Sequence, residues 1–396
     1  MTPAEAETSL SHSVPAPDAE APAVLQVLPR LETGGVERGT VDITGAISAA
    51  GLRPVVVSAG GTMVHEVERA GCTHVTLPVD SKNPLVMRKN VAALETLIRE
   101  QNISIVHARS RAPGWSARPA AERCSVPFMT TFHGTYNYSN PIKKKYNAIM
   151  AKGDRVIAIS EFIGQHIRDH YGTPEDRIRV VPRGIDVEGF NPDAVSAERM
   201  IHLSDAWRLP DDSPVIMLPG RLTRWKGQSV LIEAARRLAR PDVRVLLVGD
   251  DQGRTGYRDE LEKQIARIGA EGIIHLTGAC RDMAAAYMLA DVVVSASTDP
   301  EAFGRVAAEA HAMGRPVIAS DHGGARETVI AGETGWLVPP GDADALAQAL
   351  RKALAMSGDE RETVARRAIT HIRDNYTKQQ MCDATIAVYR ELIPEA

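Results

Sequence analysis

The chain of 396 residues lacks several features, and each absence excludes a class. It has no run of about twenty apolar residues, so no helix is expected to span a membrane. Cysteine is scarce: Cys72, Cys124, Cys280 and Cys382 lie far apart with no CxxC. That excludes a disulfide scaffold and fits reduced thiols, each a small buried hydrophobe, in a cytoplasmic protein. No His, Cys, Asp and Glu cluster has metal-ligand spacing, so neither a structural metal nor a cofactor is expected. The net charge of −4 gives no sign of a nucleic-acid binder. The glycine loop at 33–39 is not GxGxxG, and no acidic residue ends the next strand, which excludes a dinucleotide-dependent dehydrogenase. No repeat of fixed short period occurs. Residues 1–22 are acidic and rich in Pro and Ala, without the basic and apolar regions of a signal peptide, and are expected to form a disordered tail.

What remains is an ordinary globular composition, 44% hydrophobic and 24% charged, with enough length for two cores. From Val24 onward short apolar runs alternate with amphipathic stretches such as 84–101. Runs at 24–29, 54–60, 74–79, 103–110, 128–134 and 155–160, closed by 178–186, predict one series of βα units. Runs at 215–220, 243–250, 273–278, 292–297, 316–321 and 335–340 predict a second. The expected fold class is therefore α/β, with two parallel-sheet halves. The boundaries are 23–190 for the first half, a Pro-, Asp- and Ser-rich linker at 191–213, and 214–375 for the second. A last amphipathic helix within 376–396 wants a partner surface and is expected to pack back on the first half.

Candidate site residues fall at the carboxyl ends of these strands, where open α/β sheets bind ligands. The stretch Glu301-Ala302-Phe303-Gly304-Arg305-Val306-Ala307-Ala308-Glu309 organises the rest. Gly304 permits close backbone approach, and the amides of Gly304, Arg305 and Val306 open a helix, where anions are favoured. Glu301 and Glu309 flank that floor, and carboxylates accept hydrogen bonds from hydroxyls. Phosphate and hydroxyls together suggest a nucleotide sugar, whereas an acid on a helix dipole plus a surface Glu is the plainer alternative. In residues 219–227, Arg221 and Lys226 flank a loop suited to a diphosphate, although a basic surface turn would look the same. Gly34 and Gly35 permit close approach after the first strand, as any strand-to-helix turn does. His133 ends a strand beside Gly134, and His107 with Arg109 ends the preceding one and is expected to face the same cleft. Lys143, Lys144 and Lys145, with Ile142 and Tyr146, suit an anionic membrane surface or a phosphorylated acceptor. A solvated helix face is the commoner source of such a run.

Taken together, these motifs resemble the retaining glycosyltransferases of family 4, with the GT-B architecture of two Rossmann-like domains facing each other across a donor-binding cleft. The resemblance covers 24–393 and is densest from Pro219 to Pro340. It implies that Glu301 bonds hydroxyls of the transferred sugar and Glu309 the nucleotide ribose. It further implies that Phe303, Gly304, Arg305 and Val306 present backbone to sugar and diphosphate, and that Arg221 and Lys226 bind the diphosphate as it leaves. Gly35 would lie by the phosphate, His133 by the donor sugar, and Arg281 and Met283 near the base. One departure is Arg183-Gly184, where relatives often carry Asn-Gly. The implied activity is metal-independent, retaining transfer from a UDP- or GDP-sugar to a glycan or glycolipid acceptor. Cell-envelope glycan or lipopolysaccharide synthesis, at the inner face of the cytoplasmic membrane, is the implied setting. A nucleotide-sugar epimerase or hydrolase on the same fold, and a non-catalytic nucleotide-sugar-binding protein, are the competing classes. An epimerase would convert donor without acceptor, and a binding protein would turn over nothing.

Overall fold

The computed structural model describes residues 20–136 and 140–393. Most of the expected N-terminal tail, residues 1–19, and the last three residues of the 376–396 segment lie outside the described residues. Among the described residues thirteen strands form two wholly parallel sheets. The first holds β1 (Ala23–Val27), β2 (Arg53–Ser58), β3 (Thr73–Thr76), β4 (Ile103–Ala108), β5 (Phe128–Phe132), β6 (Arg155–Ala158) and β7 (Ile178–Val180). Its order is β3-β2-β1-β4-β5-β6-β7. The second holds β8 (Val215–Pro219), β9 (Arg244–Val248), β10 (Ile274–Gly278), β11 (Val292–Ser295), β12 (Val317–Ser320) and β13 (Gly335–Val338), ordered β10-β9-β8-β11-β12-β13. Central strands such as β1 and β8 are buried along their whole length, which is why they read as unbroken apolar runs. Gln26 is the polar exception in β1, and its amide donates to Thr44 Oγ1 at 3.0 Å.

Strand order reverses between β1 and β4 in one sheet and between β8 and β11 in the other. Loops leaving such neighbours on opposite sides open a crevice at their carboxyl ends. The loops after β1, β8 and β11 are those at 28–34, 220–227 and 296–304, so the topology brings the candidate residues to one place.

The chain crosses between the halves twice, and the crossings hold each other. The Ile185 amide donates to the Tyr376 carbonyl and the Lys378 amide to the Ile185 carbonyl, both at 2.8 Å. A Cβ on Gly184 would lie 2.6 Å from the Lys378 Cα, so only glycine fits there. Beyond the second crossing, helix Lys378–Arg390 packs on helix Gly35–Ala49. Its Tyr389 is fully buried in a core shared with Val24, Ile105 and Met129. Phe303, Ala308 and Ala312 of the second half join a cluster with Phe132, Ile159 and Ile163 of the first. Glu327 reaches across to accept from the Glu161 and Phe162 amides at 2.9 and 2.8 Å, satisfying the start of helix Glu161–Tyr171.

Two sequence expectations need correction. Residues 191–213 carry a helix, Ala197–Ala206, capped by Ser196 and packed beside helix Met283–Leu289. Arg199 makes a two-pronged pair with Asp282 at 2.6 and 2.8 Å, and Leu203 and Trp207 lie on the second half's core. Packing of Leu203 and Trp207 on the body outweighs a loop-like composition. His107 does not face the cleft. It is fully buried, with Nδ1 2.8 Å from the Tyr389 hydroxyl and Nε2 2.8 Å from Thr131 Oγ1. Arg109, likewise buried, donates to Gln26 Oε1 at 3.2 Å. Both residues tie the first sheet together under the last helix.

Candidate functional site

A cavity of about 510 Å³ opens between the two halves. Gly35, His133 and Arg183 line it from the first half, and Arg221, Trp225 and the Asp299–Arg305 loop line it from the second. A larger cavity of about 740 Å³ lies between helices Gly35–Ala49 and Lys378–Arg390. Its floor is Gly45, Ala46, Ala49 and Ala50, and none of the strand-end candidates reaches it.

Glu301 is the centre of the polar network. One carboxylate oxygen accepts from Lys226 Nζ at 2.8 Å, from Ser297 Oγ at 2.5 Å and from Ser295 Oγ at 3.4 Å. Both ends of the ion pair are close to nine-tenths covered, with side-chain exposures of 13% and 12%. Burial pushes the Glu301 carboxyl up, but the ammonium and the two hydroxyls outweigh it and leave the group below its ordinary range. Glu301 is therefore ionised, and its second oxygen accepts no hydrogen bond among the described residues. Lys226 also lies over the Trp225 ring, 4.4 Å from its centroid. Arg221 donates to Gln252 Oε1 at 3.3 Å and faces the cavity.

Glu309 stands eight residues on, in helix Arg305–Ala312, and is buried. It accepts from Arg305 Nε at 2.6 Å on one oxygen and from the Tyr287 hydroxyl at 2.9 Å on the other. Each carboxylate oxygen has a second lone pair, so two further hydroxyl donors can be accepted. Gly304 caps this helix in the left-handed conformation, φ 84°. It sits against Thr328 and Ala325, which fixes the turn that exposes the following amides. The Phe303 side chain packs in the interdomain core, with its ring edge-on to Tyr376, and the residue borders the cavity. Val306 packs against the second half's core.

His133 lines the cavity from β5's end, and its Nε2 is buried without a hydrogen-bond partner among the described residues. Burial, then the charges of Arg109 and Arg183, drive its pKa well below the usual imidazole value. It is a neutral group with a free polar atom. Gly35 begins the Gly35–Ala49 helix, whose cap residue Gly34 offers no side-chain oxygen to the first-turn amides. Arg281 is exposed, and Met283 is half-buried against the second half's core. Neither lines the cavity.

Ser295, Ser297, Tyr287 and Arg183 belong to this network or cavity without having been legible as candidates in the sequence. The two serines follow from strand alternation, since residues two apart along β11 and its extension share a face with one another. Tyr287 gave no local signal, because it meets Glu309 only through the packing of two helices.

A model of "Glycosyl transferases group 1" matches residues 202–371, and one of "Glycosyltransferase Family 4" matches 33–188. The crystal structure of a glycosyltransferase from Rickettsia africae ESF-5 superposes with a TM-score of 0.89 at 36% identity, covering 95% of this chain and all of that one (100%). A D-inositol 3-phosphate glycosyltransferase of Xylanimonas cellulosilytica is 34% identical over 276 residues, 64% of this chain and 64% of that protein. The Anabaena protein HepE, solved in complex with UDP-glucose, shares the architecture at 22% identity and a TM-score of 0.81, covering 93% of this chain and 99% of that one.

Proposed function

The chain belongs to glycosyltransferase family 4, with the GT-B fold, and on that premise we propose that it is a retaining transferase moving a sugar from UDP or GDP to an acceptor hydroxyl. The observation that supports this most is the Lys226–Glu301 pair at the mouth of the switch point. A cation for a diphosphate and an ionised carboxylate for sugar hydroxyls stand side by side; Glu301 lines the cavity opposite His133 and Gly35, and Lys226 lies just behind its lining, bonded to that carboxylate. In this reading the bond between the anomeric carbon and the diphosphate breaks as the acceptor oxygen attacks the same face. The acceptor's proton passes to the leaving phosphate oxygen. Arg221, Lys226 and the amides after Gly304 stabilise the charge that develops there. Glu301 holds the sugar, Glu309 the ribose, and the neutral His133 offers Nε2 to a sugar hydroxyl. Closure of the halves limits hydrolysis of the donor.

Lys226→Ala is expected to weaken nucleoside diphosphate binding roughly tenfold to a hundredfold, as loss of a charge-assisted contact does. Calorimetry with UDP and GDP measures it; an unchanged affinity removes Lys226 from the phosphate site. A thermal-shift screen of UDP- and GDP-sugars identifies the donor, because a ligand at about a hundred times its Kd stabilises the folded state by about 2.7 kcal/mol. Product formation that persists in EDTA and needs acceptor distinguishes a metal-independent transferase from an epimerase, which converts donor alone.

For the acceptor, a glycan or glycolipid of the cell envelope is our first reading. The relatives' name, D-inositol 3-phosphate glycosyltransferase, suggests a second, a phosphorylated polyol. A hollow of about 430 Å³ favours the second: Lys82, Arg111 and Lys143 line it at the carboxyl ends of β1 and β4. Among the described residues no helix is long and apolar enough to cross a membrane. The helix Pro141–Asn147 carries Lys143, Lys144 and Lys145 exposed beside an Ile142 that is 82% exposed. Co-sedimentation with anionic but not neutral vesicles is the result expected if this face meets a membrane.

A further inference from the structure

Arg183 is 8% exposed, yet its guanidinium makes no hydrogen bond or ion pair among the described residues. It leaves β7 where the chain crosses between the halves, and it borders the cavity. Its two terminal nitrogens lie 2.8 and 2.9 Å from where a Cβ on Gly39 would stand. Any side chain at 39 would displace them, so the bare first turn of helix Gly35–Ala49 is the bed on which this guanidinium rests. Nη2 of Arg183 and Nη1 of Arg305 lie 3.5 and 3.9 Å from the same point above Gly35. That helix has 15 residues, and its cap residue Gly34 leaves the first-turn amides without a side-chain acceptor. Two guanidinium groups and a helix start thus converge on one spot; Arg305 is paired with Glu309 and Glu37 folds against Gly34 at the helix start, so the unpaired cation among them is Arg183. Arg305 is held from behind by Glu309. Asp42 and Glu37 act on Arg183 only through space. Burial, then Arg109 and Arg305, pull its pKa down to about 9, so it is still a cation at neutral pH.

Like charges are gathered this closely, away from bulk water, when an anion is to be bound between them. We propose that Arg183 is a donor-binding residue, the first-half cation that grips the diphosphate of the nucleotide sugar against Gly35 and opposite Arg305. The proposal rests on reading the cleft as a nucleotide-sugar site. It adds a contact supplied by the half that does not carry Arg221 and Lys226. Binding of the diphosphate would then pull the two halves together, because each contributes cations to one anion.

The test uses the full chain and inorganic pyrophosphate, so that the identity of sugar and base does not matter. Calorimetry on the wild type, Arg183→Lys and Arg183→Gln should show pyrophosphate affinity falling roughly tenfold to a hundredfold in the Gln variant, with Lys in between. The unliganded Gln variant should melt no lower than the wild type, since an unpaired buried cation has been removed; an arginine serving only as packing would lower it. Equal pyrophosphate affinity in all three proteins overturns the proposal, as does a wild type that binds no pyrophosphate. A wild type that turns over a nucleotide sugar while Arg183→Gln binds pyrophosphate normally defeats this inference and leaves the transferase reading intact. Pyrophosphate binding that depends on Arg183, in a protein that turns over no nucleotide sugar, defeats the transferase reading alone.

Discussion

Glu301→Gln should lower kcat by roughly a hundredfold to a thousandfold while leaving nucleoside diphosphate binding as tight as in the wild type or tighter. The two halves of this expectation come from the same contact. In the unliganded protein Lys226 is held by Glu301 at 2.8 Å, so an incoming diphosphate must compete with a buried carboxylate for that ammonium. Replacing the carboxylate by an amide of the same shape releases Lys226 to the phosphate. The same change removes the ionised acceptor that would orient the sugar hydroxyls, and contacts that strengthen as charge develops are worth about that much in rate. Ser297 and Ser295 can still bond the amide oxygen, so the loop keeps its shape. Steady-state kinetics with the donor found by thermal shift, and calorimetry with UDP or GDP, give the two readouts. Wild-type turnover in the variant would remove Glu301 from the chemistry; a large loss of diphosphate affinity would mean that the carboxylate organises Lys226 rather than restrains it.

The second large effect is expected at Gly227, through the backbone rather than a charge. Gly227 is left-handed, φ 75°, between the short turn Arg224–Lys226 and helix Gln228–Leu238. A Cβ there would lie 1.9 Å from the Ala296 carbonyl oxygen and 2.6 Å from its carbon, both backbone atoms of the segment leaving β11. The contact is fastened next door, where the Thr298 amide donates to the Trp225 carbonyl at 2.7 Å. Gly227→Ala must therefore drive apart the loop that carries Lys226 and the segment that leads to Glu301. We expect a loss of roughly 3 kcal/mol or more of stability, from strain and overpacking together, and with it the loss of diphosphate binding. Gly45→Ala is the control: it sits inside helix Gly35–Ala49 with no atom within 4 Å of its Cβ position. That change should cost nothing, or stabilise by about 0.5–1 kcal/mol. Denaturant melts of both variants check the pair, and a Gly227→Ala protein as stable as the wild type would mean that the two loops are not wedged together.

The fold was legible because parallel strands buried on both faces announce themselves as apolar runs; each of the thirteen strands coincides with a run read from the sequence, with β1, β2 and β3 starting one residue earlier. Family 4 and the two facing Rossmann-like halves followed from motif order and strand-end placement. What the sequence concealed was the identity of partners. Lys226 and Glu301 each looked like a ligand contact, and nothing in their spacing of 75 residues showed that they hold one another. Tyr287 and Glu309 are 22 residues apart and meet only once two helices pack. His107 misled because a histidine at a strand end reads as functional, while its real neighbour, Tyr389, lies 282 residues away. The helix Ala197–Ala206 hid in a polar composition because its stability comes from the surface beneath it rather than from its own periodicity.

That distant tyrosine has a bearing on how the protein is made. Helix Lys378–Arg390 supplies Tyr389, Ile386 and Met381 to the core that holds Val24 and Ile105. A chain leaving the ribosome thus finishes β7 about 200 residues before the last piece of the first core arrives, a delay of roughly 10–40 s at ordinary translation rates. During that interval the groove along helix Gly35–Ala49 is an uncovered apolar surface on a nascent chain, and the second half must fold beside it. The segment that closes the groove is translated after the second half, so the first half emerges before the second yet is completed after it.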